Sequence, residues 1–161
     1  MGAYTRHMKK TPRDLDLELC RKAAETCTAR NLRAATRAVS GLFDDAMRPT
    51  GLRVSQFGVL VALALAEEAT VSRLASLLQL DRTTMTRNLA PLERQGLVAS
   101  AAGDDARNRH LHLTDEGRAT LAQALTIWER VQARVVKGLG DARWKGLLRD
   151  LAAASSLARP T

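Results

Sequence analysis

The chain has little cysteine, no long apolar run and no recognisable catalytic signature. Its 161 residues hold two cysteines, and neither stands in a C-x-x-C or zinc-binding spacing, which excludes a disulfide framework and points to a reducing compartment. The longest apolar runs, such as Val59 to Ala66, fall far short of the roughly 18 residues that span a bilayer. No membrane partner is therefore expected. Met1 to Pro12 carries Arg6, Lys9 and Lys10 but no apolar segment after them, so it reads as a flexible basic tail and not as a secretion signal, and the expected location is cytoplasmic. The chain contains no G-x-G-x-x-G, G-x-x-x-x-G-K, G-x-S-x-G or H-E-x-x-H, and Glu67-Glu68 has no visible acid or base partner. Neither an enzyme nor a cofactor is expected.

What is present is apolar content of 45%, spread evenly, and a positive charge, with 25 Lys+Arg against 17 Asp+Glu for a net +8. The first fits a folded domain, or two small lobes sharing a core. The second favours a polyanionic partner. Residues 1–48 and 116–161 each carry +4, whereas 49–69 carry −1 and 70–115 carry +1. A nucleic-acid contact in the middle would thus rest on a few placed arginines, with the ends adding a diffuse field.

A stripe that is apolar except at Asn31 recurs every three or four positions through Leu17, Cys20, Ala24, Cys27, Asn31, Ala35, Ala38 and Leu42. This spacing predicts one long helix from about Asp14 to Met47, broken by Arg48-Pro49-Thr50-Gly51. A second helix follows, with Val54, Phe57, Leu60, Val61, Ala64 and Leu65 as its apolar face, ending near Glu67-Glu68. Then come two short helices, Val71–Gln79 entered through a Thr70 cap and Arg82–Gln95 entered through Asp81, a helix-turn-helix spacing. Met85, Leu89 and Leu92 form the inner stripe of the second, which places Arg82, Thr83, Thr86, Arg87 and Asn88 on its other faces. Leu97–Ala101 and Arg109–Leu113 predict a β-hairpin around a polar tip at Gly103–Asn108. Thr114 caps a further long helix with stripe Leu121, Leu125, Trp128, Val131, Val135 and Leu139. Gly138–Gly140 ends it, and Asp141 opens a shorter one using Trp144, Leu147, Leu148 and Leu151. The fold class is mainly α, a winged helix-turn-helix with a short hairpin wing flanked by long helices.

This order resembles the MarR-type winged-helix transcriptional regulators. The resemblance covers nearly the whole chain and rests on Gly51-Leu52-Arg53-Val54-Ser55-Gln56-Phe57, Leu80-Asp81-Arg82-Thr83-Thr84-Met85-Thr86-Arg87, Leu92-Glu93-Arg94-Gln95-Gly96-Leu97-Val98, and Asp105-Ala106-Arg107-Asn108-Arg109 followed by Leu113-Thr114-Asp115-Glu116-Gly117. The family's Asp-x-Arg wing motif falls on Asp105 and Arg107. Arg53 departs from the threonine often found before the second helix, which leaves that helix's cap open.

The resemblance implies a homodimer that binds a pseudo-palindromic double-stranded DNA operator, usually as a repressor, and is released by a small effector. On this basis the chain divides into a tail (1–12), an N-terminal dimerisation helix (13–50), a winged DNA-binding lobe (51–115) and C-terminal dimerisation helices (116–161). The outer apolar stripes fit a dimer as well, being longer than a winged lobe of one chain could cover. Thr83, Thr84 and Thr86 are expected to donate to phosphates or base edges, with Arg82 and Asn88 beside them. Arg87 has the fork for guanine O6 and N7. Arg107 suits a narrow minor groove, with Asp105 holding the shape of the wing. Arg73, Arg82, Arg94 and Arg109 read as phosphate clamps or as structural partners of Glu93 and Asp104.

Other residues admit two readings. Cys20 and Cys27, seven apart on one predicted helix, lie too far apart to pair within it; they are either small apolar interface residues or a thiol sensor. His110 and His112 share a strand face but lack a third ligand, so no metal is expected. Arg33 and Trp128 are the candidate effector-pocket residues, although a Trp at helical spacing is more often core. A further class is a non-catalytic ligand- or protein-interaction dimer of the same fold without sequence-specific DNA reading, which operator footprinting would discriminate.

Overall fold

The computed structural model describes residues 15–101 and 109–157. The basic tail, the polar hairpin tip with Asp104, Asp105 and Arg107, and the last four residues lie outside them. The chain divides into two compact units, Met1–Ala38 and Val39–Thr161.

The predicted first helix is two. α1 spans Leu17–Thr26 and α2 spans Thr28–Met47, with Cys27 extended between them at ψ 109°. Thr26 and Thr28 flank this point, and Thr26 Oγ1 donates to the Lys22 carbonyl at 2.7 Å, a back-bond that competes with regular helix. The carbonyls freed by the break are satisfied from the next turn. Arg30 Nη1 donates to the Ala24 carbonyl at 2.7 Å and Asn31 Nδ2 to that of Glu25 at 3.0 Å; Asn31 Nδ2 also reaches the Cys27 carbonyl, which already accepts from the Asn31 N–H. The hydrophobic period runs through such a break without recording it, which is why spacing alone predicted continuity. α1 buries nothing: Leu17 and Leu19 stay 59% and 62% exposed.

In the second unit a 3-10 turn, Arg48–Thr50, leads through Gly51 at φ 71° to α3, Val54–Ala66. The missing threonine cap is replaced from two sides. Asp44 of α2 accepts from the Val54 N–H at 2.7 Å, and Gln56 Oε1 accepts from the Arg53 N–H at 2.8 Å. α3 packs against α5, α6 and the sheet as well as α4, so its buried set is wider than the predicted face. Val59 and Leu63 are fully buried, whereas Ala64 and Leu65 point out, Leu65 at 83% exposure. A helix surrounded in this way loses the periodicity that would reveal its inner face.

After Glu67 at φ 60° a two-residue strand, β1 (Ala69–Thr70), precedes α4 (Val71–Leu77) and α5 (Arg82–Arg94). β2 (Val98–Ala101) and β3 (His110–Leu113) form the predicted hairpin. β3 sits centrally in an antiparallel sheet of order β1-β3-β2, pairing Val98 with Leu113 and Ala69 with Leu111. β1 was not anticipated, being too short for an alternating pattern. Leu111 and Leu113 face the core, so His110 and His112 share the outer face as expected, and His110 Nδ1 lies 3.3 Å from Glu68. Among the described residues no group of three metal-ligating side chains forms.

α6 runs Asp115–Leu139 and α7 runs Asp141–Ser156. No single described helix is long and apolar enough to cross a membrane. The start of α6 is stitched to the α5–β2 turn: Thr114 donates its hydroxyl to the Gly96 carbonyl at 2.6 Å and its N–H to that of Leu97 at 3.2 Å. Gly117 stands where a Cβ would lie 2.0 Å from the Leu97 carbonyl oxygen. Gly117→Ala is thus expected to destabilise by about 1–3 kcal/mol, read as a lower urea midpoint at unchanged slope. An unaltered midpoint would contradict this close approach.

Candidate nucleic-acid interface

The helix-turn-helix is built by two side-chain caps and one tight turn. Thr70 Oγ1 accepts from the Arg73 N–H at 3.2 Å to start α4. The chain turns through Gln79 at φ 53°, with the Leu80 N–H donating to the Ala75 carbonyl at 2.8 Å. Asp81 then caps α5, accepting from the Thr84 N–H at 2.8 Å and from the Thr84 hydroxyl at 2.6 Å.

Met85, Leu89 and Leu92 are buried to 0%, 3% and 0% exposure, so the rotation of α5 about its own axis is set. Arg82, Thr83, Thr86 and Arg87 are consequently exposed, while Thr84 and Asn88 are half-buried. Two expected donors are already engaged. The Thr84 hydroxyl gives its proton to Asp81, and that of Thr86 donates to the Arg82 carbonyl at 2.9 Å. What they present outward is acceptor capacity, suited to base amino groups and not to phosphates. Pro91 inside α5 was passed over in the sequence; lacking an N–H, it leaves the Arg87 carbonyl without its intrahelical donor.

The four clamp candidates separate. Arg109 donates to Glu93 and to Ser100, both at 2.8 Å, so its guanidinium is paired within the lobe. Arg82 and Arg94 are exposed on α5. Arg73 lines a groove of about 570 Å³ between α3, α4 and α6, where it is the one charged lining residue among Phe57, Val61, Leu65, Leu77, Leu125, Trp128 and other apolar groups. Trp128 stacks on Phe57 with ring centroids 6.3 Å apart, 37% exposed, so it is both part of the packing and part of the groove. Arg33 lies exposed on α2 and is not a lining residue. Cys20 in α1 and Cys27 at the break are both exposed in the single chain, so neither is a buried core residue of the protomer. Arg21 is paired with Glu18, and the Arg30 guanidinium is committed to the Ala24 carbonyl.

The MarR family model matches residues 50–108. The M. tuberculosis transcriptional regulator MosR, solved in complex with DNA, is 39% identical over 83% of this chain and 99% of that one, with a TM-score of 0.73. The chain belongs to the MarR family of transcriptional regulators. The transcriptional repressor CouR, bound to a 23-mer DNA duplex, is 30% identical over 83% of this chain and 95% of its own, with a TM-score of 0.74. A cysteine mutant of E. coli MarR with operator DNA, at 22% identity and a TM-score of 0.73 over 82% of this chain and 96% of that one, shares the fold. No curated protein sequence matches the chain. In this MarR-family chain the matched segment holds α3, β1, α4, α5 and β2, which carry Arg73, Arg82, Thr83, Thr84, Thr86, Arg87 and Arg94, while Arg109 lies one residue beyond it.

The titration of Asp81 is displaced downward. The Thr84 hydroxyl, and then the Thr84 amide, hold its carboxyl below the ordinary 3.8. Because the folded value is depressed, its contribution to stability is present above the unfolded value and lost as pH falls through the folded one. Asp81→Ala is therefore expected to be less stable than the parent at neutral pH, with the difference shrinking below about pH 4. Urea denaturation at pH 7 and in acid checks this, and a difference that persists unchanged in acid would contradict it.

Proposed function

We propose that the chain is a cytoplasmic homodimeric repressor that binds a pseudo-palindromic operator and is released by a small ligand. One observation carries the reading: burial of Met85, Leu89 and Leu92 turns Arg82, Thr83, Thr86 and Arg87 outward on a capped helix braced by the hairpin. Such a helix enters a major groove with its N-terminal residues at base edges. Arg87 reads guanine O6 and N7, Thr83 and Thr86 contact neighbouring base edges, and Arg82 and Arg94 neutralise phosphates. Arg107, with Asp105 holding the wing's shape, inserts into the flanking minor groove.

Dimerisation is supported by what the protomer leaves uncovered. Neither α1 nor α7 has a buried residue, and Leu15, Leu17, Leu19, Leu147, Leu148 and Leu151 stay between 38% and 73% exposed. A two-fold partner covering segments 13–50 and 116–161 would bury these leucines and present two recognition helices to half-sites about 10 base pairs apart. The apolar groove beside Trp128 and Phe57 supports an effector with an aromatic or aliphatic body. CouR, solved both on DNA and with p-coumaroyl-CoA, is a relative in which the two kinds of complex exist. A second reading, in which a thiol carries the release signal, is favoured by the exposure of both Cys20 and Cys27. It changes how DNA is released and not how it is read.

Footprinting upstream DNA and then titrating variants tests the proposal. Arg87→Ala is expected to weaken operator binding about tenfold or more while affecting random DNA little, since a bidentate base contact carries roughly 1–3 kcal/mol of discrimination. Arg107→Ala is expected to weaken it more than tenfold and to lower the salt slope by about 0.9 per phosphate neutralisation lost. No footprint, or affinity and slope unchanged in both variants, would overturn the reading.

A further inference from the structure

We propose that Arg109 is a positioning residue, clamping the hairpin to the end of the recognition helix and so setting where the wing meets DNA. This rests on the DNA-binding reading above. One guanidinium nitrogen, Arg109 Nη2, reaches Glu93 Oε1 in the last turn of α5 and Ser100 Oγ on β2, each at 2.8 Å. Arg109 itself immediately precedes β3. Three parts of the lobe therefore converge on one cation.

The pair differs from most ion pairs in the described residues. Arg21–Glu18, Arg48–Asp45, Arg118–Asp115 and Lys145–Asp141 each lie within three or four positions of one another, with both partners at least 63% exposed. Such pairs contribute little. Arg109–Glu93 joins residues 16 apart, with side chains 47% and 32% exposed, so it links separate elements and is partly withdrawn from solvent screening.

Glu93 also stands where a carboxylate is poorly placed. It lies at the negative end of the α5 dipole and on the helix proposed to approach a polyanion. Arg109 neutralises it and, in doing so, fixes the base of the hairpin two residues from Arg107. On the next residue, His110 Nδ1 lies 3.3 Å from Glu68 on the segment before β1, so consecutive residues of the hairpin base approach carboxylates of different elements.

If Arg109 were instead a phosphate contact, Glu93 would compete with DNA for it, and removing Glu93 would tighten binding. The clamp predicts the opposite sign. Glu93→Ala and Arg109→Ala are each expected to weaken operator binding about tenfold. The double variant should lose no more than either single one, and the salt slope should match the parent. Glu93→Gln, which keeps an acceptor for the guanidinium, should lose less than Glu93→Ala. Hydrogen exchange without DNA reads the clamp directly: β2 and β3 amides should exchange faster in Glu93→Ala and Glu93→Gln, while α3 and α6 keep their protection. Tighter or unchanged binding by Glu93→Ala, a slope lowered by about 0.9 in Arg109→Ala, or strand exchange equal to the parent would overturn the proposal, as would loss of protection throughout the lobe. Parent protein that binds operator no better than shuffled DNA would end the regulator reading, while the exchange data still judge the clamp.

Discussion

The lobe depends on how α5 is rotated, and that rotation is a packing result. Met85, Leu89 and Leu92 are buried at nearly zero exposure against α3, α4 and β2, and truncating a side chain of this kind to alanine costs about 2–5 kcal/mol. The exposed ion pairs on the same molecule contribute roughly 0–1 kcal/mol each. Hydrophobic packing therefore decides which side chains of α5 face outward, and electrostatics acts only on what packing has already exposed. A rotation of one residue position, about 100° on a helix, would exchange Arg87 for a buried position at a cost no surface interaction offsets.

Around that helix, backbone contacts hold the hairpin in place. The Schellman-like turn at Gly96 (φ 70°) delivers Leu97 into the core, where its carbonyl receives the Thr114 N–H and leaves no room for a side chain at Gly117. The end of α5, the start of β2 and the start of α6 meet at this junction. Recognition helix and wing are thus referenced to the same few residues, and Arg109 adds a polar link farther out along the hairpin. α1 and α7, by contrast, have no buried side chain within the protomer. Their apolar faces are explicable by a second copy.

Much of this was legible in the residues. Asp81, Thr70 and Thr114 cap the helices their positions predicted, and the α5 stripe was readable because that helix packs on one side and keeps a clean 3.6 period. α3 lies among several neighbours, so Val59 and Leu63 could not be told from Ala64 and Leu65 by spacing. The break at Cys27 depends on Thr26, Arg30 and Asn31 side chains returning to α1 carbonyls, and local hydrogen bonding of that kind leaves no trace in hydrophobic period. Replacement of the α3 cap by Asp44, ten positions away, is a tertiary contact and was hidden for the same reason. The threonines show a subtler limit: Thr84 and Thr86 stand near the recognition face as expected, but the protons they were expected to offer are spent within the helix. Arg109 stands between two roles by its chemistry, and its hydrogen bonds to Glu93 and Ser100 are a tertiary arrangement that spacing does not record.

The central claim is that this lobe reads sequence and does not merely attract polyanions. Fluorescence anisotropy of the purified protein, titrated against DNA from upstream of its own gene and against a shuffled duplex at two salt concentrations, tests it most directly. Binding to the native duplex is expected to be tighter by about a thousandfold and to survive moderate salt. Equal, salt-labile binding to both duplexes would contradict it.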